Sequence, residues 1–155
     1  MVIDKKINSA SVRMKELDPL DFSLELLHFG FRGLTVDADR YLETFALSRV
    51  HHRILYIIAR FDEINVGDLA ATLGVSKQAL HRPLTHLFER ELVGYTRLPD
   101  RHRFKILALT PKGLEVEQQA TNLERVAIRQ ALNTTTGEGQ AAWHSIMQSL
   151  ADRLE

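Results

Sequence analysis

The stretch "INVGDLAATLGVSKQALHRPLTHLFERELV" (Ile64–Val93) decides the fold. It reads as two short helices joined by a tight turn. The first covers about Val66 to Leu73. Gly74 then offers the positive-φ residue that closes a helix, Val75 turns inward, and Ser76 caps the next helix. On a helical wheel Leu80, Leu84, Leu87 and Phe88 share one face of that second helix. Gln78, Arg82, Thr85, His86 and Glu89 share the other, with Lys77 and His81 at its margins near the N-terminus. Pro83 stands inside this helix, where it removes a donor to the Ala79 carbonyl and costs about 3 kcal/mol in a regular interior. The expectation is a bend that re-aims Gln78 to Arg82.

Immediately downstream, "YTRLPDRHRFKILALT" (Tyr95–Thr110) alternates or runs apolar on both sides of a Pro-Asp turn, as two strands joined by a hairpin do. Strand-turn-strand over residues 93–109, following the helix pair, completes a winged helix-turn-helix. The hairpin crowds Arg97, Arg101, His102, Arg103 and Lys105 into a chain whose formal net charge is zero. Residues 1–75 hold nine Lys/Arg against eleven Asp/Glu, residues 76–112 eight against three, and residues 113–155 three against six. A basic middle between mildly acidic ends is the footprint expected for a phosphate partner. An α-helix fits the major groove, and a cationic hairpin reaches an adjacent minor groove or the backbone. Double-stranded DNA is therefore the expected partner. Ser76, Lys77, Gln78, His81, Arg82, Thr85 and His86 are the candidate contacts from the helix, and Arg97, Arg101, Arg103 and Lys105 those from the wing.

Both ends of the chain read as helices. Leu20, Leu24, Leu27, Phe31, Leu34, Ala38, Tyr41 and Phe45 recur at spacings of three and four, one long amphipathic helix or a helix pair with a seam. Ser48 caps a further helix through "RVHHRILYIIAR", which ends at Phe61-Asp62-Glu63. Thr110 and Pro111 form an N-cap and first helical residue. Val116, Ala120, Leu123, Ala127 and Ala131 then make a stripe as far as the break "NTTTGEG". A last helix carries Trp143, Ile146, Met147, Leu150 and Leu154. These stripes exceed what one small core needs, and a homodimer interface is the economical use of the surplus. The expected architecture is one domain over 1–155, mainly α with a small β-hairpin wing. Its winged lobe spans 47–110, and the dimerisation helices span 20–46 and 111–155.

Other classes find little support. The chain of 155 residues has no cysteine, hence no disulfide frame and no thiolate chemistry. No apolar run approaches the roughly 20 residues that span a bilayer, and "MVIDKKINSASVRMKELDP" lacks a signal peptide's apolar stretch, so a cytoplasmic protein without a membrane partner is expected. A glycine-rich phosphate loop, a His-Glu-x-x-His pair and a Gly-x-Ser-x-Gly elbow are all missing, so an enzyme is not expected. Of the seven histidines, His51 and His52 are adjacent on a helix and about 100° apart, a poor start for a shared metal. The remaining rival is a winged-helix module that contacts proteins without reading DNA; an apolar or acidic outer helix face would favour it.

From about Leu47 to Gly113 the sequence resembles the MarR family of bacterial winged-helix regulators. The matching residues are "LSRVHHRILYII", "VGDLAATLGVSKQALHRPLTHLFERELV" and the wing "DRHRFKILALTPKG", whose Leu109-Thr110-Pro111-Lys112-Gly113 fits the family's "LT-x-x-G". Arg103 falls on the family's wing arginine, whereas Asp100 stands one position early. The resemblance implies a homodimer built from both ends, with two lobes reading a pseudo-palindromic operator, most often as a repressor. It also implies a pocket between dimerisation helices and lobe for a small aromatic carboxylate or phenolic effector, with no other cofactor. His28 and Arg32, one turn apart on the first helix, and His51, His52 and Tyr56 on the second are the candidates to line it.

Overall fold

The structure, a computed structural model, describes residues 18–96 and 105–154. Its elements are α1 (Asp21–Glu43), α2 (Arg49–Ile58), α3 (Val66–Leu73), α4 (Lys77–Glu89), β1 (Val93–Thr96), β2 (Ile106–Leu109), α5 (Pro111–Leu132) and α6 (Gly137–Ala151), with a final 3-10 turn at Asp152–Leu154. The N-terminal stripe forms one long helix rather than a pair, running through Gly30 and Gly33 without a break.

Local chemistry sets most boundaries. The Asn65 side chain accepts from the backbone N–H of Gly67 and Asp68 and so starts α3; Gly74, at φ 66°, ends it in the left-handed region. Ser76 accepts from Ala79 N–H to start α4, and Thr110 and Thr136 cap α5 and α6 in the same way. Each such cap is worth about 1 kcal/mol. Helix α4, capped by Ser76, continues through Pro83. The carbonyl that loses its partner there belongs to Ala79, an exposed residue.

β1 and β2 pair antiparallel, with Val93 opposite Leu109 and Thr96 opposite Ile106. Ile64 adds a single bridge on the far side, accepting from Leu107 N–H at 2.8 Å. The lobe's core gathers Ile54, Leu55 and Ile58 of α2, Leu69 of α3, Leu80, Leu84 and Leu87 of α4, then Leu92, Val93 and Leu107. It continues without a gap into Ala38 and Leu42 of α1 and Val116 and Ala120 of α5.

The join between wing and α5 is tight. After α4 the chain turns through Glu91, at φ 57°. The Thr110 hydroxyl donates to the Glu91 carbonyl at 2.7 Å, and Thr110 N–H donates to the Leu92 carbonyl at 3.1 Å. Gly113 follows, buried against the backbone that leads into β1: a Cβ placed there would lie 1.9 Å from the Leu92 oxygen. The glycine of the "LT-x-x-G" signature is thus a packing requirement, because any side chain would push α5 off the sheet.

Candidate nucleic-acid interface

Helix α4 divides its residues as its periodicity predicts. Leu80, Leu84 and Leu87 are buried, while Ser76, Lys77, Gln78, His81 and Arg82 are exposed at its N-terminal half. The exposed set combines two cations, an amide, an imidazole and a hydroxyl on one projecting surface. Those groups suit phosphate oxygens and base edges.

The C-terminal half behaves otherwise. Thr85 and His86 are half-buried. The His86 Nε2 lies 3.0 Å from the Ala46 carbonyl, forty residues upstream, and accepts from Arg90 Nε at 2.8 Å. Its ring centroid is 4.8 Å from that of His51 on α2. Expected to face outward as a DNA contact, His86 instead ties the helix to the α1–α2 corner. Ala46 holds φ 53°, an unusual setting for a residue with a side chain, which aims its carbonyl at α4.

His51 occupies the third position of α2 and accepts the Ser48 N–H at its Nδ1 at 3.0 Å, one half of a capping box. Burial, followed by the neighbouring His86 and Arg90, pushes its pKa below the ordinary imidazole value.

Of the wing residues, Arg97, Arg101 and Arg103 lie outside the described residues, as does His102. Lys105 is exposed at the base of the wing, its Nζ 5.2 Å from the Tyr95 ring centroid. Tyr95 in turn packs on Phe88 of α4 at 4.7 Å, so an aromatic pair fixes the wing's root to the end of the recognition helix.

The expected effector residues separate into distinct groups. His28 and Arg32 are exposed on α1 around the Phe29 ring, at 4.9 Å and 5.9 Å. His51 belongs to the corner just described. His52 is buried: its Nε2 lies 3.0 Å from the Thr121 hydroxyl and its Nδ1 3.5 Å from Glu124, both on α5. Thr121 donates onward to Glu117 at 2.7 Å, and Glu117 accepts from Arg60 at 2.8 Å. Arg60 lies over the Tyr56 ring at 3.3 Å and donates to the Tyr56 carbonyl. His52 and Tyr56 thus belong to a polar chain that fastens α2 to α5. The link from α1 to α2 is made by Arg49, which pairs with Asp39 and lies over Phe31 at 4.8 Å. Sequence reasoning passed over Arg49, Asp39 and Arg60, whose partners lie on other elements.

A cavity of about 910 Å3 does open where α1, α2 and α5 meet. Tyr41, Arg60, Glu117, Gln118, Asn122 and Arg125 are among its walls. Burial, then Glu115, raises the Tyr41 pKa, which keeps the phenol a donor. Among the described residues no cluster of three His, Cys, Asp or Glu is placed to hold a metal ion, and no helix is long and apolar enough to cross a membrane.

Known proteins with this sequence and geometry agree with one another. Residues 47–103 match the model of the MarR family. The chain is 32% identical over 133 residues to the HTH-type transcriptional regulator PetP of Rhodobacter capsulatus, covering 83% of this chain and 78% of that one. In fold it is similar to a MarR protein from Peptoclostridium difficile (TM-score 0.75, 19% identity, 95% of each chain). It is also similar to S. aureus MepR in its DNA complex (TM-score 0.69, 16% identity, 89% of this chain and 99% of that one). The sequence of most of the chain is shared with PetP and its fold with the solved structures: the chain belongs to the MarR family of transcriptional regulators.

Proposed function

We propose that the protein represses transcription by binding a pseudo-palindromic DNA operator as a homodimer, and releases it when a small aromatic carboxylate or phenolic effector binds. The observation that carries the reading is the polar, exposed N-terminal half of α4 above a fully buried leucine face. That surface is neither apolar nor acidic, which weighs against a protein-contact module. Ser76, Lys77, Gln78, His81 and Arg82 enter the major groove, and the wing cations follow the backbone or the adjacent minor groove. The MepR–DNA complex, similar in fold, supports the same use of the lobe.

Dimerisation is supported by what the single chain leaves uncovered. No residue of α6 is buried, and Trp143, Ile146 and Leu150 are exposed together with Leu24, Leu26, Leu27 and Phe31 of α1. These helices enclose an open apolar hollow of about 420 Å3. A contiguous surface of this kind marks an interface, and a second copy brings the two recognition helices to half-sites one DNA turn apart. The effector is assigned to the cavity beside Tyr41, Arg60 and Arg125, where guanidinium groups and a phenol O–H suit a carboxylate. Bound there, it touches α1, α2 and α5 together and so biases the angle between lobe and dimer helices.

The test selects duplexes from random-sequence DNA with the purified protein and follows the complex by sedimentation. Two protomers on a two-fold related sequence are expected, with affinity weakened by a compound that stabilises the free protein. Failure to enrich any sequence would overturn the DNA reading.

A further inference from the structure

We propose that His51 and His86 form a proton-sensitive joint that seats the recognition helix: with both rings neutral, α4 is held against the α1–α2 corner, and protonating them unseats it. Both are positioning residues, and the proposal rests on the DNA-binding reading above.

The argument is one of hydrogen inventory. The His86 Nε2 has a donor, Arg90 Nε, at 2.8 Å and an acceptor, the Ala46 carbonyl, at 3.0 Å. One nitrogen satisfies only one of them. A bare Nε2 accepts from Arg90 N–H and has no hydrogen to offer the Ala46 carbonyl. A protonated Nε2 donates to Ala46 and confronts the Arg90 N–H. Charging the ring keeps the bond to Ala46 but removes the acceptor for Arg90 and sets a cation 2.8 Å from its guanidinium nitrogen, so the strain falls on the Arg90 side of the joint.

His51 faces the matching conflict. Its Nδ1 accepts the Ser48 N–H at 3.0 Å, so a proton on that nitrogen opens this half of the capping box. The two ring centroids are only 4.8 Å apart, and two imidazolium ions at that range repel. Burial and its cationic neighbours already disfavour the charged form of His51. The groove around the pair is lined from α4 by His81, Arg82 and Glu89, and from α2 by Val50. Glu89 is the single carboxylate among those lining residues, against Arg82 and the His81 imidazole, with the Arg90 guanidinium on His86 itself. Of the two α2 arginines, Arg49 is engaged with Asp39 of α1, and Arg53 stands beside Val50 against Ala79 and Pro83 of α4 as a further cation. Acidification therefore accumulates repulsion at the corner from which α4 is held.

The consequence for DNA has a distinctive sign. Any imidazole that touched phosphate directly would add a cation at the interface on protonation and strengthen binding as pH falls. The joint predicts the reverse. In His51→Gln the new amide oxygen still accepts the Ser48 N–H, as a glutamine at this position of a capping box does. In His86→Gln the amide nitrogen donates to Ala46 and the amide oxygen accepts from Arg90. Neither glutamine titrates.

The experiment compares wild type with the His51→Gln/His86→Gln double variant on a duplex selected from random DNA at pH 7.5, at fixed salt from pH 8 to 5.5. The wild-type affinity is expected to fall at least tenfold towards pH 5.5. The double variant should bind within about threefold of wild type at pH 7.5, then hold or gain affinity as pH falls. Identical pH profiles, or a wild-type affinity that does not fall, would overturn the proposal. Should no duplex be selected, the DNA reading fails on its own, and DNA-free NMR decides the joint. Acid-induced shifts of α4 amides in wild type that vanish in the double variant support it; α4 amides unmoved by acid, or moved alike in both proteins, overturn it.

Discussion

In α4 the apolar face is spent inside the molecule: Leu80, Leu84 and Leu87 are 5% exposed or less. In α6 Ile146 is 61% exposed and Leu150 42%, though their spacing is just as helical. The two helices differ in what the rest of the chain supplies. Helix α4 lies between α2, α3 and the sheet, and its stripe meets Ile54, Leu69 and Leu92 in one cluster. Helix α6 comes after the last break, and among the described residues no element covers this face. An amphipathic period therefore states that a face will be covered, and leaves open whether the cover is cis or trans.

That contrast yields its largest effect in Leu87→Ala. The side chain is fully buried, and its truncation should cost about 2–5 kcal/mol of unfolding stability by denaturant titration. Leu150→Ala in α6 should leave the lobe's stability within about 0.5 kcal/mol; a loss as large as that of Leu87 would erase the distinction. Next, Ile146→Asp/Leu150→Asp should yield folded monomers by sedimentation. Losing the paired lobe should weaken operator binding by about a hundredfold; a stable dimer in this variant would move the interface elsewhere. Arg82→Ala should cost about 1–3 kcal/mol in DNA affinity and relax preference at one base pair per half-site. Arg103→Ala, if it meets only phosphate, should weaken all sequences alike and lower the salt slope by about one unit. The smallest effect is expected from Asn65→Ala, about 1 kcal/mol from loss of the α3 cap, with DNA specificity unchanged.

Local chemistry made the lobe legible. Gly74, Ser76 and Thr110 each perform a backbone task that their residue type announces, and α3 runs from Val66 to Leu73 as that punctuation implies. At Pro83 the sequence states the lost donor, while the exposure of the Ala79 carbonyl's residue comes from the fold. The long-range polar contacts were not legible. His86 falls on the polar side of a helical wheel, yet its partner is a carbonyl at residue 46, aimed by a positive φ that alanine does not advertise. His52 and Tyr56 read equally well as pocket residues. What takes them elsewhere is the pairing of α2 with α5, through Thr121 and Glu117 some sixty-nine and fifty-seven residues beyond His52 and Arg60. Periodicity identifies faces; it does not say which face of another helix they meet.

The absence of a side chain at Gly113 gives α5 the character of a lever. Its first turn is pressed onto the Leu92 backbone and fastened by Thr110, while its last turns lie beside the exposed apolar residues of α1 and α6. With 22 residues α5 is about 33 Å long, so a tilt of about 5° at the fastened end displaces the far end by about 3 Å. A disturbance too small to disrupt the lobe's core is thereby magnified where a second protomer would feel it.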